Sequence, residues 1–441
     1  MTPEVPAPAA FRARFPGLLT IAFATTVALW SVAYFGRLPT VMLHGALLVV
    51  AMLGCLAAGG AFAARTLGGG FGTGAWVGAL SGLLNLLILG SLLTGDAPNR
   101  IVPSALIWIP GSLAASAAAA GLAGVPWRGP PAKADPRRWL ASFARVSVVA
   151  TALLIAAGGV VTSQEMGLAV VDWPNSYGYN MFLFPLSKMV AGVYFEHAHR
   201  LFGALVGLTV LVLAIFVWRV DGRRAVRALA LGAFALVVAQ GVFGGLRVTG
   251  RLTMELPETT EPSILSGVIH GVLAQIVFSL LVWLAAVVSK TWREGEGPRP
   301  LAGVRFDRIF GPIVLAAIVV QLVLGAIQRH TQALLMIHVA MGTLVAPLAV
   351  TYGFRSWGRF TQDPLLRRLG IALVAGMGGQ VFLGLGSFLA IGALGLEPYP
   401  KWAEVLLTTL HQWFGAVVFA VAASLVVWSV RRTVPIKSLS M

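Results

Sequence analysis

The sequence predicts an all-α polytopic membrane protein of about twelve transmembrane helices: two pseudo-symmetric four-helix bundles preceded by a four-helix extension. Three observations predict it. Of 441 residues, 58% are hydrophobic and only 11% charged, where soluble domains carry roughly 25% charged residues. Apolar runs long enough to span a ~30 Å hydrocarbon layer recur along the whole chain. In the last eight runs, a histidine returns at a matching place in every second one.

In chain order the first four runs lie near 17–35, 40–64, 72–94 and 101–124, after a short lead-in, "MTPEVPAPAAFRARFPG", that reads as cytoplasmic. They form the extension, 1–124, to which the sequence assigns no role. Its His44 has no histidine opposite it in "IVPSALIWIP", so it is expected to be a satisfied core residue and not a ligand. A basic, proline-containing linker, 125–140, follows. Runs near 141–163, 191–217, 225–246 and 263–288 make the first half, 141–288. Runs near 308–327, 333–356, 366–394 and 404–430 make the second, 305–430. All are read as helices, because lipid offers backbone polar groups no partner outside the segment.

The net charge of +16 is a topology signal. With loops assigned alternately to two sides, 24 of the 32 Lys and Arg fall on the side of the N-terminus. The other side receives only Arg37, Arg100, Lys188, Arg200, Arg247, Arg251, Arg329 and Lys401. Acidic residues split almost evenly. This is the positive-inside pattern, with both termini cytoplasmic, and it argues against a nucleic-acid partner. A bacterial inner (plasma) membrane is expected. The single cysteine, Cys55, lies in an apolar run and cannot form an internal disulfide.

The sixth, eighth, tenth and twelfth runs begin "EHAHRLFGALVG", "SGVIHGVLAQIVF", "LLMIHVAMGTLV" and "LTTLHQWFGAVV", with His199, His270, His338 and His411. The intervals are 71 and 73 residues within the halves and 139 and 141 between them, as a duplicated four-helix unit requires. Three intervening runs repeat Gln and then Gly four residues later: Gln240 in "QGVFGG", Gln321 in "QLVLGA" and Gln380 in "GQVFLGLG". Small residues there let helices approach closely. At 1.5 Å rise per residue, each histidine lies roughly 8–13 Å below the outer boundary.

Imidazole on bundle helices suits zinc, copper or haem iron. Zinc and copper sites usually recruit Cys or carboxylates, and none accompanies His270, His338 or His411. Two histidines on separate helices can instead clamp a haem between them, so two pairs imply two haem sites. Arg200, Arg247, Arg251 and Arg329 lie next to the histidine layer, where a planar guanidinium fork suits haem propionates. At 100° per residue, Glu196, His199 and Arg200 share a 100° arc of one helix face. His197 lies 160° from His199, and is expected to face the outer surface or another helix. Leu335 stands where the second half would repeat Glu196, so an acid is present in one half alone. An ionisable group at membrane depth is a functional candidate by default.

The chain resembles the haem A synthases over about 141–430. The resemblance rests on "ExxHR" (Glu196, His199, Arg200), the three later histidines, "DWP" at Asp172–Pro174 and "LGAIQRHT" at 324–331. It implies that His199, His270 and Glu196 hold the substrate, haem O, and that His338 and His411 hold a prosthetic haem b. It also implies oxidation of the C8 methyl of haem O to a formyl group by successive hydroxylations. Glu196 would accept a proton or stabilise a cationic intermediate, and haem b would pass electrons to an acceptor that the sequence does not identify. The expected partners are haem O, the haem O synthase that supplies it, and membrane lipid; a homo-oligomer is left open. Two features depart from the family pattern. The first external loop, "EMGLAVVDWPNSYGYNMFLFP", lacks the cysteine pair of many bacterial members, and the extension is additional. A b-type cytochrome without catalysis and a membrane transporter are the alternatives. The single glutamate speaks against the first, and the paired histidines against the second.

Overall fold

The computed structural model describes residues 7–38, 41–88, 90–94, 98–130, 135–250, 263–393 and 400–436. Among them, twelve helices are long and apolar enough to cross a membrane, one for each predicted run, and the protein is a multi-pass membrane protein. The first four are α1 (Ala7–Gly36), α2 (Gly45–Leu67), α3 (Gly70–Ile88) and α4 (Ala105–Gly124). Next come α5 (Pro136–Ser163), α6 (Ala191–Val220), α7 (Arg224–Thr249), α8 (Ile264–Val288) and a short helix, α9 (Lys290–Glu294). The chain ends with α10 (Val304–Thr331), α11 (Leu335–Arg359), α12 (Pro364–Ala390) and α13 (Lys401–Arg432).

The helix ends follow local chemistry. Asp363 caps α12, its Oδ1 accepting from Leu365 N at 3.0 Å and Leu366 N at 3.1 Å, with Pro364 in the first turn where a missing N–H costs nothing. The Ser263 hydroxyl accepts from Ser266 N at 3.1 Å and caps α8 in the same way. His44 corrects the expectation of a core residue. α2 starts at Gly45, and His44 is its exposed N-cap, extended at φ −56° and ψ 137°, with Nδ1 accepting from Ala46 N at 3.3 Å.

The contacts divide the chain into two compact units, with residues of α5 and α7 in both. The first gathers Met1–Leu154 and Met166–Phe234. Apolar side chains gain little by leaving lipid for another helix, so packing rests on close backbone approach. Gly74 and Gly78 of α3 supply it. A Cβ at either would stand 2.3 Å from Ala120 O or 2.1 Å from Ser116 O on α4. α1 packs through aromatic rings: Phe23 against Phe143 of α5 at 5.1 Å, and Trp30 against Phe202 of α6 at 6.3 Å. Tyr34 stacks on Tyr194 of α6 at 6.0 Å, and the Tyr194 hydroxyl donates to Tyr34 O at 2.7 Å. An antiparallel hairpin, β1 (Asn175–Ser176) and β2 (Tyr179–Asn180), belongs to this unit.

The second unit comprises Ile155–Glu165, Ala235–Leu252 and Pro257–Met441. Its core joins α10 to α13 through Val314, Ile318, Val345, Tyr352, Leu366, Leu373, Leu425 and Trp428. Asp307 at the start of α10 is 2.9 Å from Arg355 Nε and 3.8 Å from Arg359 Nε. A short parallel pair, β3 (Arg299–Leu301) and β4 (Thr433–Pro435), ties the α9–α10 connection to the end of α13.

Candidate functional site

The first turns of α6 carry Glu196, His199 and Arg200. Glu196 is buried, and both of its carboxylate oxygens are engaged. Oε1 lies 2.6 Å from Arg200 Nη2, and Oε2 accepts from Val170 N at 2.9 Å. Arg200 in turn grips the loop between α5 and α6: Nη1 donates to Asp172 O at 2.6 Å and Asn175 O at 3.0 Å, and Nη2 donates to Val170 O at 2.8 Å. Its four terminal N–H donors therefore meet four protein acceptors, one of them Glu196.

The loop that receives this fork is itself braced. The Asp172 carboxylate accepts from Tyr177 N at 2.6 Å and Gly178 N at 2.8 Å. Tyr177 and Gly178 are both left-handed, at φ 52° and 77°, the signature of a tight two-residue hairpin turn. The carboxylate thus offsets the cost of a tyrosine at positive φ. The Tyr177 hydroxyl donates to Ala169 O. Burial, then the negative charges of Glu196 and Asp172, raise the pKa of this hydroxyl, and Arg200 opposes them. Raised in this way, the phenol keeps the proton that it donates.

His197 is fully buried. Its Nδ1 lies 3.0 Å from Ser176 Oγ, and its ring lies 4.7 Å from that of Phe184. This corrects the expectation of an outer-surface or helix-facing position, because the loop between α5 and α6 folds back over the opening turns of α6. Charge on one face and ring packing on another fasten the same loop.

The three later histidines share one frame. Gln240 Nε2 donates to His270 O at 2.8 Å, and His270 Nδ1 lies 3.0 Å from Gln240 O. Gln321 Nε2 reaches His338 O at 3.0 Å and Nδ1 at 3.2 Å, with Nε2 of the ring at 3.5 Å. Gln380 Nε2 reaches His411 O at 3.1 Å and Nδ1 at 3.2 Å. One turn further on, glycine leaves room for each ring. A Cβ at Gly244, Gly325 or Gly384 would stand 3.0, 2.9 or 2.9 Å from the histidine Cε1, closer than real Cβ contacts come. The glutamine pins an edge of the imidazole and the glycine lets it lie against the neighbouring helix.

His338 and His411 face each other across the second unit, with ring centroids 6.3 Å apart and planes at 86°. Two metal–nitrogen bonds of roughly 2 Å, with about 1 Å of ring at either end, span roughly 6 Å. The pair therefore fits one metal ion held between the two rings. Among the described residues, no group of three His, Cys, Asp or Glu could hold a metal ion. Two imidazoles alone suit an iron whose other four ligands come from a porphyrin. His270 belongs to this second unit, and His199 to the first.

Of the expected propionate cations, Arg329 donates to Thr162 O. Arg247 lies beside Gly267, where a Cβ would stand 3.3 Å from its Nε and 3.2 Å from the His330 ring. Arg251 lies outside the described residues.

The family model for cytochrome oxidase assembly proteins (COX15-CtaA) matches residues 137–440. The chain belongs to this family. A "Heme A synthase" from Beijerinckia indica is 30% identical over 215 residues, 43% of this chain and 56% of that protein. One from Lysinibacillus sphaericus is 27% identical over 44% of this chain and 59% of its own length. One from Rhizorhabdus wittichii is 23% identical over 68% of this chain and 81% of its own length. The chain thus matches less than two thirds of the first two relatives.

In this COX15-CtaA member, the matched region holds all four histidines, Glu196 and Arg200, and α1 to α4 precede it. Sequence reasoning took the Gln–Gly repeat only as a sign of close helix approach. The glutamine one helix before each histidine, 30, 17 and 31 residues ahead of His270, His338 and His411, was the available signal for its second role. Asp172 was noticed as part of a motif, and its carboxylate has a structural task. His330 lay within the "LGAIQRHT" stretch but was given no role there, and Asn99, between α3 and α4, belonged to no motif.

Proposed function

We propose that this chain is a haem A synthase, oxidising the C8 methyl of haem O to a formyl group. The observation that carries the reading is the His338–His411 pair, spaced for one iron, in a chain whose α6 holds a single buried carboxylate beside His199. Family membership and relatives named for this activity support it. In this reading His338 and His411 would hold a haem b, which would supply one-electron transfer to an acceptor when bound. His199 and His270 hold haem O. Arg247, Arg251 and Arg329 serve the propionates, and Arg200, with its terminal donors already taken, serves the loop and Glu196.

Glu196 is the catalytic residue of the proposal. Accepting a proton would weaken its pair with Arg200 at 2.6 Å, so we assign it the electrostatic role: holding negative charge where positive charge develops on the substrate. The test is coexpression with a haem O source, then mass analysis of extracted pigment. Haem A is expected, and a chain that binds haem b but leaves haem O unchanged would be an electron relay instead.

We further propose a bacterial inner membrane with cytoplasmic termini, from the bias of 24 of the 32 basic residues to one side. Impermeant labels applied outside should reach single cysteines placed in 164–190 and 395–403 but not in 218–224. The reverse pattern would place the histidines at the cytoplasmic face.

A further inference from the structure

We propose that residues 1–124, which precede the family-matched region, are a working part of the site. Asn99 is a positioning residue that holds the external hairpin and, through it, the Arg200–Glu196 pair. The proposal rests on the catalytic reading of Glu196 given above.

The contacts form a continuous chain within the first unit. Asn99 Oδ1 accepts from Asn180 N at 2.6 Å, and its Nδ2 donates to Gly178 O at 3.3 Å. One side-chain amide thus grips the second strand of the hairpin at a donor and an acceptor, as another strand would. Gly178 N and Tyr177 N bind the Asp172 carboxylate. The carbonyls of Asp172 and Asn175 take Arg200 Nη1, and Arg200 Nη2 takes Glu196. Nearby, Thr94 Oγ1 donates to Leu183 O at 2.9 Å, a second tie from the same connection to the same loop.

The residue type suits the position on two counts. Asn99 sits at φ 59°, a left-handed conformation that asparagine tolerates better than most side chains. Its amide also carries both a donor and an acceptor, which no carboxylate or hydroxyl offers in this planar form. α1 braces the other end of the same assembly, where Tyr34 and Trp30 pack on Tyr194 and Phe202 of α6.

Two variants of the full chain test this. Asn99→Gly keeps the backbone conformation at no steric cost but removes both bonds. Asn99→Asp keeps the acceptor for Asn180 N and loses the donor to Gly178 O. Amide exchange reads the outcome at two places: Asn180, held directly, and Val170, whose N–H is held by Glu196 Oε2. In the Gly variant both amides should exchange roughly tenfold faster, as expected for loss of about two hydrogen bonds. In the Asp variant Asn180 should stay near the parental rate. The ratio of haem A to haem O should fall several-fold in the Gly variant and less in the Asp variant. Parental exchange at Val170 in Asn99→Gly would overturn the proposal, because the clamp would not reach Glu196. Faster exchange with a parental pigment ratio would overturn it too. A parental protein that makes no haem A would instead sink the activity reading, and Val170 exchange would still decide the clamp.

Discussion

Glu196→Gln is expected to cut haem A formation by roughly 10²–10³-fold, the range for removing one electrostatic stabiliser of a transition state, while the haem b spectrum stays unchanged. Gln keeps the size of the side chain but not its pattern of acceptors. Both carboxylate oxygens accept in the parental protein, from Val170 N and Arg200 Nη2. An amide would turn an N–H toward one of these donors. It would also leave Arg200, whose side chain is 9% exposed, without its counter-charge. Removing one partner of a buried ion pair typically costs about 3–5 kcal/mol. The variant therefore tests charge and loop geometry together, and Arg200→Lys separates them. Lys keeps the positive charge beside Glu196 but has only three rotatable donors for the four acceptors of the planar fork. A large loss in Glu196→Gln with a small one in Arg200→Lys would mean that charge dominates. Equal losses would mean that Glu196 acts by holding the loop. A near-parental ratio of haem A to haem O in Glu196→Gln would remove it from the chemistry altogether.

His338→Ala and His411→Ala should each abolish the low-spin haem b spectrum, because each removes one side of a pair 6.3 Å apart. Gln321→Ala and Gln380→Ala give the scale. Losing a supporting contact to a metal ligand typically costs about 10–100-fold in affinity, and losing the ligand should cost more. The measurement is the absorption spectrum of the purified protein, with haem content per chain. Two alanine variants with an unchanged spectrum would show that the second unit holds its haem elsewhere, or holds none.

Most of the fold could be read from the chain, for a physical reason. A membrane helix must be apolar for about 20 residues, so its existence and length are written in composition. All twelve runs appear as helices, and the histidines of the second unit stand where the repeat implied. What the sequence did not disclose depends on the loops. Helix periodicity turns His197 away from His199, but nothing in it says that 170–184 folds back and buries the ring. Arg200 was read as a cation for a haem propionate, because the carbonyls that occupy it are backbone atoms with no residue signature. The partner of Asn99 lies about eighty residues on, across a connection that composition leaves undefined. His44 failed as a core residue for a local reason, since a helix that begins five residues late turns a buried position into an exposed cap.

The glutamine frames have an entropic consequence. A ring already pinned at one edge and seated against a glycine loses little rotational freedom when a ligand arrives. The saving is about 0.5–1.5 kcal/mol for each side chain that would otherwise be ordered on binding. Gln321 Nε2 and Gln380 Nε2 lie 3.2 Å from the ring Nδ1 of His338 and His411, so each ring has a frame and a group bound between them gains the saving twice. A cofactor that must stay gains a long residence time from two pre-set ligands.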